Sequence, residues 1–323
     1  MKSDCPLDGQ VAIVTGAGRR LGRMHARTLA AAGARVVVND IEAEPAERVV
    51  SEIRESGGDA VSSVASVMTD EGAQAIVDRA LESYGTLDAV VNNAGFMRSA
   101  KFEDLTVAMF DEVLAIHVGG AFHVCQAAWP VLKAKGYGRI VMTSSAFGMF
   151  AAKGAVNYAA AKAGVYGMTR ALACEGEEFG IRVNCVLPHG NPLQDDNPDL
   201  GPERNAEWYR ANWALPGFED YVDEEIAASL EDGRRDAELV SPVVAYLASP
   251  SCRVTGEAFA AGFGRFARVF VAECAGWKPG DAESATVDGI ARHIDAVLST
   301  ERYEIPINQF EEMRYLSRPG DET

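Results

Sequence analysis

The chain has 323 residues, 48% of them hydrophobic, and a formal net charge of −17 at pH 7. This acidic balance argues against a nucleic-acid partner, because binding to a phosphate backbone needs a basic face. The apolar runs are interrupted by charged residues or glycine, and the first ten residues lack an apolar stretch. We therefore expect no membrane span, no secretory signal and a cytoplasmic location. The six cysteines are scattered without paired spacing, which predicts no metal site.

Apolar runs alternate with helical patterns over the first 190 residues. The runs that predict strands are VAIVTG, ARVVVND, DAVSSVAS, LDAVVNNAG, GRIVMTSS and IRVNCVLP. The helices predicted between them cover residues 20–32, 43–56 and 70–84, and stretches near 106–135 and 156–178. Continuous apolar strands separated by helices are typical of a parallel sheet covered on both faces. The sequence thus predicts an α/β fold with a doubly wound parallel sheet, whose ligands bind at the carboxyl ends of the strands.

This regular pattern ends after Pro188. Residues 190–237 interleave aromatic and acidic residues and follow the sixth strand, which favours a substrate lid over a static surface insertion. The segment GEAFAAG predicts a strand that brings the sheet to about seven, so residues 1–264 are expected to form one domain. Residues 265–323 hold a strand-like ARVFVAE and a helical ATVDGIARHIDAVL. They have too few apolar positions for a separate core, so we expect a C-terminal extension packed on the same domain.

The glycine-rich stretch TGAGRRLG, residues 15–22, lies between the first predicted strand and the first predicted helix. Backbone N–H groups and a helix N-terminus attract a phosphate there. Gly16 and Gly18 permit a tight turn, and Gly22 permits close packing of helix on strand. Arg20 stands where the usual spacing has another glycine, and it could contact a cofactor phosphate or the substrate.

Asp40 ends the second predicted strand. A carboxylate at that tip can accept both ribose hydroxyls of an adenosine and repels a 2′-phosphate, which predicts NAD as cofactor. Arg19 is a charge that would attract a 2′-phosphate, but Asp40 should dominate because it lies at the ribose itself. The alternative role for Asp40 is that of a turn or helix-capping acid.

Three further motifs make the pattern specific. NNAG covers residues 92–95, a serine pair covers 144–145, and YAAAK places Tyr158 and Lys162 four residues apart on one helix face. Together with the glycine loop, the sequence resembles the short-chain dehydrogenase/reductase family over about residues 7–262. The stretches HVGGAFHVCQAAWPVLKAKGYGRIVMTSS, NNAGFMRS and VVVNDI are similar to its (3R)-hydroxyacyl-CoA dehydrogenase branch, found in multifunctional enzyme type 2. That similarity extends to about residue 277.

The resemblance implies a catalytic group. Tyr158 would be the acid/base, Lys162 its electrostatic and ribose-binding partner, and Ser145 the residue that orients the carbonyl oxygen, whereas Ser144 would be structural. His117 stands where most members have an asparagine that supports a backbone carbonyl holding a water on the lysine; its alternative role is helix packing. A tyrosine pKa near 10 must fall by about 2–3 units for work near neutrality. The Lys162 ammonium and an oxidised nicotinamide supply the positive charge for that shift.

The resemblance also implies a cofactor-binding set. Its members are Gly16, Gly18, Arg19, Leu21, Asp40, Ser66, Val67, Asn93, Ala94, Gly95, Tyr158, Lys162 and Pro188. Ser66 stands where an aspartate often meets the adenine. After Pro188 the sequence departs from the family, because His189 replaces the glycine of the expected Pro-Gly pair and Leu193 stands in place of the threonine that usually meets the carboxamide.

These residues predict an NAD-dependent oxidoreductase acting on a secondary alcohol or ketone, a hydroxyacyl-CoA ester or a steroid-like molecule. The acidic segment 190–237 counts against polyanionic CoA. The alternatives are a ketoreductase of small cyclic or polyketide carbonyls, or a non-catalytic protein that senses dinucleotides. The helices near 106–135 and 156–178 carry apolar faces with small residues, which predicts a homodimer or homotetramer unless both faces are buried on their own sheet.

Overall fold

A computed structural model of the chain describes residues 6–189, 237–280 and 285–317. The strands of its main sheet are β1 (Val11–Val14), β2 (Arg35–Asp40), β3 (Asp59–Val64), β4 (Ala89–Asn92), β5 (Gly138–Thr143), β6 (Ile181–Pro188), β7 (Ala258–Gly262) and β8 (Arg265–Val269). Their order is β3-β2-β1-β4-β5-β6-β7-β8, and β1 to β7 pair in parallel. The order reverses between β1 and β4, where a doubly wound sheet opens a crevice at the carboxyl ends of its strands.

Helices cover both faces of this sheet. They are α1 (Arg20–Ala31), α2 (Ala43–Glu55), α3 (Asp70–Tyr84), α4 (Val107–Leu114), α5 (Gly120–Lys135), α6 (Ala146–Phe150), α7 (Val156–Gly176) and α8 (Ser241–Ala248). One face packs against α3, α5 and α7, and the other against α1, α2 and α8. Buried side chains of β1 and β2 form a core with α1, α2 and α8. The predicted doubly wound α/β fold is therefore confirmed.

The helix predicted near 106–135 is divided by a π-helical turn at Ala115–Gly119, between α4 and α5. By length and composition alone, the stretch Val107–Lys135 could cross a membrane, which the interrupted apolar runs had argued against. Its α5 part packs on α3 and on strands β4 and β5, as a helix covering a sheet does. A π-turn inserts one residue into a helix and is frequent at functional sites.

Within the described residues the sheet has eight strands, against the prediction of about seven. The strand-like start of the extension forms β8, which follows β7 after only two residues, Phe263 and Gly264. Both residues have positive φ angles, 54° and 71°. A two-residue turn with two positive φ angles matches the twist of a hairpin, and this is the local reason that the extension continues the sheet.

The chain divides into two compact units, Met1–Arg268 and Val269–Thr323. The second unit contains β9 (Glu273–Cys274) paired antiparallel with β10 (Tyr303–Glu304), and the helices α9 (Val287–Arg292), α10 (Ile294–Leu298) and α11 (Gln309–Leu316). Within it, Trp277 stacks on His293 with ring centroids 4.2 Å apart. The helical pattern expected in the extension is present, while its packing on the first unit stays a prediction. Residues 190–236, and with them nearly all of the predicted lid, lie outside the described residues.

Candidate active site

The glycine loop joins β1 to α1 and approaches the segment after β4 closely. Gly16 has a φ of 59°, and a Cβ placed on it would lie 2.8 Å from the Ala94 Cα. A Cβ on Gly18 would lie 2.7 Å from Oδ2 of Asp40. Gly16 is therefore required both for its backbone angle and for space, and Gly18 for space alone. Arg20 has a φ of 52°, so the position that lacks the expected glycine keeps the left-handed backbone that glycine adopts most easily.

Thr15 fastens the loop to the NNAG segment. Its hydroxyl oxygen accepts hydrogen bonds from the backbone N–H groups of Asn93 (3.0 Å) and Ala94 (3.1 Å). In return, the Asn93 side-chain amide donates to the carbonyls of Thr15 (3.0 Å) and Gly16 (3.1 Å). Gly95 lies against the His117 ring, which a side chain at that position would overlap. Two segments almost 80 residues apart thus form one rim of the crevice.

The tip of β2 lies beside the same loop. Asp40 Oδ2 accepts a hydrogen bond from the Gly18 N–H (3.0 Å), and its Oδ1 accepts one from the Glu42 N–H (3.2 Å). In this structure the carboxylate therefore has the turn-stabilising role that was the alternative to ribose binding. Ser66, after β3, accepts a hydrogen bond from the Met68 N–H (3.1 Å) in a local turn.

The remaining predicted cofactor positions lie after β3, in the first turn of α1 and at the end of β6. Val67 is buried, and its carbonyl lies 3.1 Å from His123 Nδ1. Leu21 packs on the core from the first turn of α1. Pro188 ends β6, and the next residue, His189, donates its N–H to the Ala261 carbonyl (2.8 Å). Leu193 lies outside the described residues.

The predicted catalytic side chains meet where β5 ends and α7 begins. Tyr158 and Lys162 are buried, and the Lys162 Nζ donates to the Thr143 carbonyl (2.6 Å) and lies 5.4 Å from the centre of the Tyr158 ring. Ser145 hydrogen-bonds the Tyr158 hydroxyl. As expected, Ser144 has a structural contact, because its hydroxyl donates to the Lys162 carbonyl (2.8 Å). Serine, tyrosine and lysine side chains thus converge at one point.

Comparison with known proteins identifies this arrangement. The sequence model of the short chain dehydrogenase family matches residues 10–191. The chain belongs to this family. It is a dehydrogenase that acts on CH–OH groups, and its family uses NAD(P).

Individual relatives indicate which branch of the family this dehydrogenase is similar to. It is 36% identical over 269 residues to a Mycobacterium tuberculosis protein named as a short-chain type dehydrogenase/reductase, covering 80% of this chain and 84% of that protein. It is also 36% identical over 273 residues to mouse peroxisomal multifunctional enzyme type 2, covering 82% of this chain but only 33% of that enzyme. A crystal structure of a Mycobacterium avium short chain dehydrogenase matches with a TM-score of 0.72 and 30% identity, over 91% of this chain and 97% of that one. The expected position near the multifunctional-enzyme branch is confirmed.

Burial dominates the acid–base properties of the predicted catalytic side chains. It raises the pKa of Tyr158 to about 12, against the hydrogen bond from Ser145, which lowers that pKa. Burial also lowers the pKa of Lys162 to about 7. Both directions are opposite to those that favour a tyrosine phenolate beside a lysine ammonium. The expected shift of the tyrosine therefore depends on positive charge beyond that of Lys162.

His117 lies in the π-turn and is 4% exposed. Burial, and then the charge of Lys162, hold its pKa well below the usual value, so the ring is neutral near pH 7. Its Nε2 lies 2.7 Å from the Phe96 carbonyl and must donate there, because a carbonyl only accepts. The ring meets Tyr158 edge to face at 5.2 Å. His117 thus supports the Phe96 backbone carbonyl, packs on the Tyr158 ring and carries no charge.

Asn157 is a residue of the candidate site that the sequence analysis does not predict. Its side chain is fully buried and makes three hydrogen bonds: Nδ2 donates to the carbonyls of Arg98 (3.0 Å) and Met109 (3.2 Å), and Oδ1 accepts from the Tyr158 N–H (2.8 Å). These contacts fix the first turn of α7 against α4 and the loop after β4. Its position directly before the predicted catalytic tyrosine is the one feature of the sequence that points to it. Within the described residues, no group of three or more His, Cys, Asp or Glu side chains could hold a metal ion.

Proposed function

We propose that this dehydrogenase transfers a hydride between NAD(H) and a secondary alcohol or ketone. The observation that carries the proposal is the convergence of Ser145, Tyr158 and Lys162 at the carboxyl end of β5. When bound, the dinucleotide supplies or accepts the hydride. In reduction, the Tyr158 hydroxyl gives its proton to the carbonyl oxygen and becomes a phenolate, and in oxidation the Tyr158 phenolate takes the proton from the alcohol. The Ser145 hydroxyl orients that oxygen, and the Lys162 ammonium stabilises negative charge on the tyrosine.

The residues of the crevice fit a dinucleotide. A Cβ at Gly16 or Gly18 would overlap Ala94 or Asp40, so the two glycines keep the loop close to the NNAG segment and to the tip of β2. The N-terminus of α1 lies at this loop and favours a phosphate. Asp40 at the tip of β2 supports NAD over NADP, because its charge repels a 2′-phosphate.

The surroundings of Tyr158 support an apolar substrate. Its ring packs with Met97, Val113 and Ala155 in a buried cluster, and Phe147 meets the ring edge to face at 5.7 Å. Together with the similarity to multifunctional enzyme type 2, this supports a hydroxyacyl chain or a steroid-like ring as the substrate. The acidic charge of the chain counts against a CoA ester as the substrate and favours a neutral secondary alcohol or ketone. The assay below includes both classes.

A hydride-transfer assay tests this proposal. Purified protein is mixed with NAD(H) or NADP(H) and 3-hydroxyacyl-CoA esters, free 3-hydroxyacids, hydroxysteroids and small cyclic ketones, and reduced nicotinamide is followed by absorbance. We expect turnover with NAD(H) and an apolar secondary alcohol or its ketone. Turnover of small cyclic ketones alone would favour a tailoring ketoreductase. Cofactor binding without turnover of any substrate would favour a dinucleotide sensor.

The oligomer is also a proposal, and α5 and α7 support it. Phe122 on α5 is 47% exposed, and exposed small residues, among them Ala163 and Gly167, follow one side of α7. A Cβ on Gly167 would meet nothing within 4 Å, so Gly167→Arg fits one subunit but would obstruct a helix packed on this face. We expect light scattering to give a dimer or tetramer for the wild type and a smaller species for Gly167→Arg. Ala75→Arg on α3 is the control, and equal masses for all three proteins would contradict this interface.

Location stays a prediction. We propose a cytoplasmic enzyme, whereas several relatives carry peroxisomal names. Imaging of a tagged chain in its own host tests this, and enrichment in a membrane or organelle fraction would contradict it.

A further inference from the structure

Arg19 forms a two-pronged ion pair with Glu42 at the rim of the crevice. The Nη1–Oε1 distance is 3.0 Å and the Nη2–Oε2 distance is 2.8 Å. Both side chains reach solvent, with 35% of the arginine side chain and 57% of the glutamate side chain exposed. The planar guanidinium thus presents one edge to a carboxylate, in the geometry in which it would otherwise bind a phosphate.

Asp40 holds both partners of this pair in place. One oxygen of its carboxylate accepts from the N–H of Gly18, directly before Arg19, and the other accepts from the N–H of Glu42. The pair therefore lies at the tip of β2, where the carboxylate predicted to meet the adenosine ribose also lies. The neighbouring cation Arg23 on α1 also has an acidic partner, because it pairs with Glu52 at 2.9 Å.

We infer that Glu42 is a second residue that determines cofactor specificity, because it occupies the guanidinium that a 2′-phosphate would need. Arg19 alone would favour NADP(H), since an arginine fork binds a phosphate through charge-assisted hydrogen bonds. While Glu42 holds that fork, a 2′-phosphate must displace a carboxylate and approach two negative charges, those of Asp40 and Glu42. The inference rests on the proposed NAD preference and assigns part of that preference to Glu42.

Because the Arg19–Glu42 pair is exposed, a substitution of Glu42 should change the cofactor preference without unfolding the protein. Exposed ion pairs contribute little to stability, so removing Glu42 should leave the fold intact and release Arg19. Hydrogen bonds to a charged group typically change affinity by about 10- to 100-fold. We therefore expect Glu42→Ala to lower the Kd for NADP⁺ by about 10- to 100-fold, with a much smaller change for NAD⁺.

The experiment is a binding titration of the full chain with NAD⁺ and with NADP⁺, for the wild type and four variants. Glu42→Ala removes the carboxylate, and Glu42→Gln keeps its size without the charge. Glu44→Gln is the matched control, because it removes the same charge from α2 at a residue whose ion pair is with Arg48 rather than Arg19. Arg19→Ala combined with Glu42→Ala removes the released cation. Circular dichroism checks that each variant is folded.

The inference predicts tighter NADP⁺ binding for both Glu42 variants, no such gain for Glu44→Gln, and loss of the gain in the double variant. Unchanged NADP⁺ affinity of the Glu42 variants, in a protein that prefers NAD⁺, would overturn the inference and leave the proposed function standing. An equal gain in Glu44→Gln would overturn it as well, because general charge would then be the cause. A wild type that prefers NADP⁺ would overturn both this inference and the proposed NAD preference.

Discussion

The two halves of the candidate site are held together in different ways. The cofactor half is fixed by the backbone. Its glycines leave no room for a Cβ, and the side-chain oxygens of Thr15 and Asp40 accept hydrogen bonds from backbone N–H groups. The catalytic half is fixed by buried side chains, with Asn157 and His117 each bonding a backbone carbonyl near Tyr158. The comparison teaches that short sequence patterns reveal the main residues of both halves, whereas the long-range contacts that hold each half in place are revealed by no local pattern.

The largest expected effect separates chemistry from binding. Tyr158→Phe removes only the hydroxyl that exchanges a proton, so turnover should fall by about 10²- to 10⁴-fold. The affinity for NAD(H) should stay within a few-fold of that of the wild type, because the phenyl ring keeps its packing on Phe147 and His117. Steady-state rates measure the turnover, and cofactor titrations measure the affinity for NAD(H). A turnover close to that of the wild type would refute Tyr158 as the acid/base.

The catalytic half is tested next at Asn157. Asn157→Ala removes the three hydrogen bonds of a fully buried side chain and lets the start of α7 shift, so we expect kcat to fall by about 100-fold. The KM for NAD(H) should change little, because the hydrogen bonds of the Asn157 side chain go to Arg98, Met109 and Tyr158 rather than to the glycine loop.

The matched control is Asn184→Ala. Asn184 is a fully buried asparagine of β6 that bonds the Val254 carbonyl and the Glu257 N–H, away from Tyr158. Both variants should lose a few kcal/mol of unfolding free energy, since each buried group left unpaired costs about 1–3 kcal/mol. If kcat fell equally in both, general loss of stability rather than positioning would explain Asn157.

The cofactor half is tested at Gly16. Gly16→Ala would bring a Cβ against Ala94 and push the glycine loop away from the NNAG segment, so the Kd for NAD(H) should rise by about 10-fold or more. Gly57→Ala is the control, because Gly57 also has a positive φ, 85°, but has no atom within 4 Å of the added Cβ. Both variants should be destabilised by about 1 kcal/mol through the backbone angle. Only Gly16→Ala should bind the cofactor more weakly, and equal affinities would argue against the close approach.

The smallest expected effect is a pH dependence of stability that comes from Lys162. Its pKa is about 7 in the folded chain, against 10.5 for an ordinary lysine. Between these values the unfolded chain holds a proton that the folded chain has released, so the free energy of unfolding should rise with pH by about 1 kcal/mol per unit. Urea unfolding of the wild type and Lys162→Met from pH 6 to 9 tests this. The unfolding free energy of the wild type minus that of Lys162→Met should increase above pH 7. Parallel pH curves for the two proteins would contradict the lowered pKa.

The sequence predicted the strands, the long helices and the group formed by Ser145, Tyr158 and Lys162, because their signals are local. Thr15 could not be assigned its role, since its hydrogen bonds reach residues 78 and 79 positions away. Asn157 likewise bonds carbonyls 59 and 48 positions away. The π-turn at His117 adds one residue to a helix without a recognisable pattern.

The electrostatic predictions depended most on the fold. The expected direction for the Tyr158 pKa followed from the nearby lysine, but burial has the larger effect in the structure. Arg19 was recognised in the sequence as a charge that attracts phosphate. Its pairing with Glu42 was not foreseen, because a loop residue and the residue before α2 meet only when β1 and β2 are adjacent.

The added strand β8 has a consequence for self-association through the sheet. A strand at the border of a sheet offers unpaired backbone groups to other chains, and charged side chains oppose such edge-to-edge aggregation. β8 begins at Arg265 and includes Arg268, whose guanidinium forms two hydrogen bonds with Glu257. The extension thus places an arginine-bearing antiparallel strand outside the apolar parallel strands. A chain shortened before Arg265 would end its sheet at the apolar β7 and should precipitate at lower protein concentrations than the full chain.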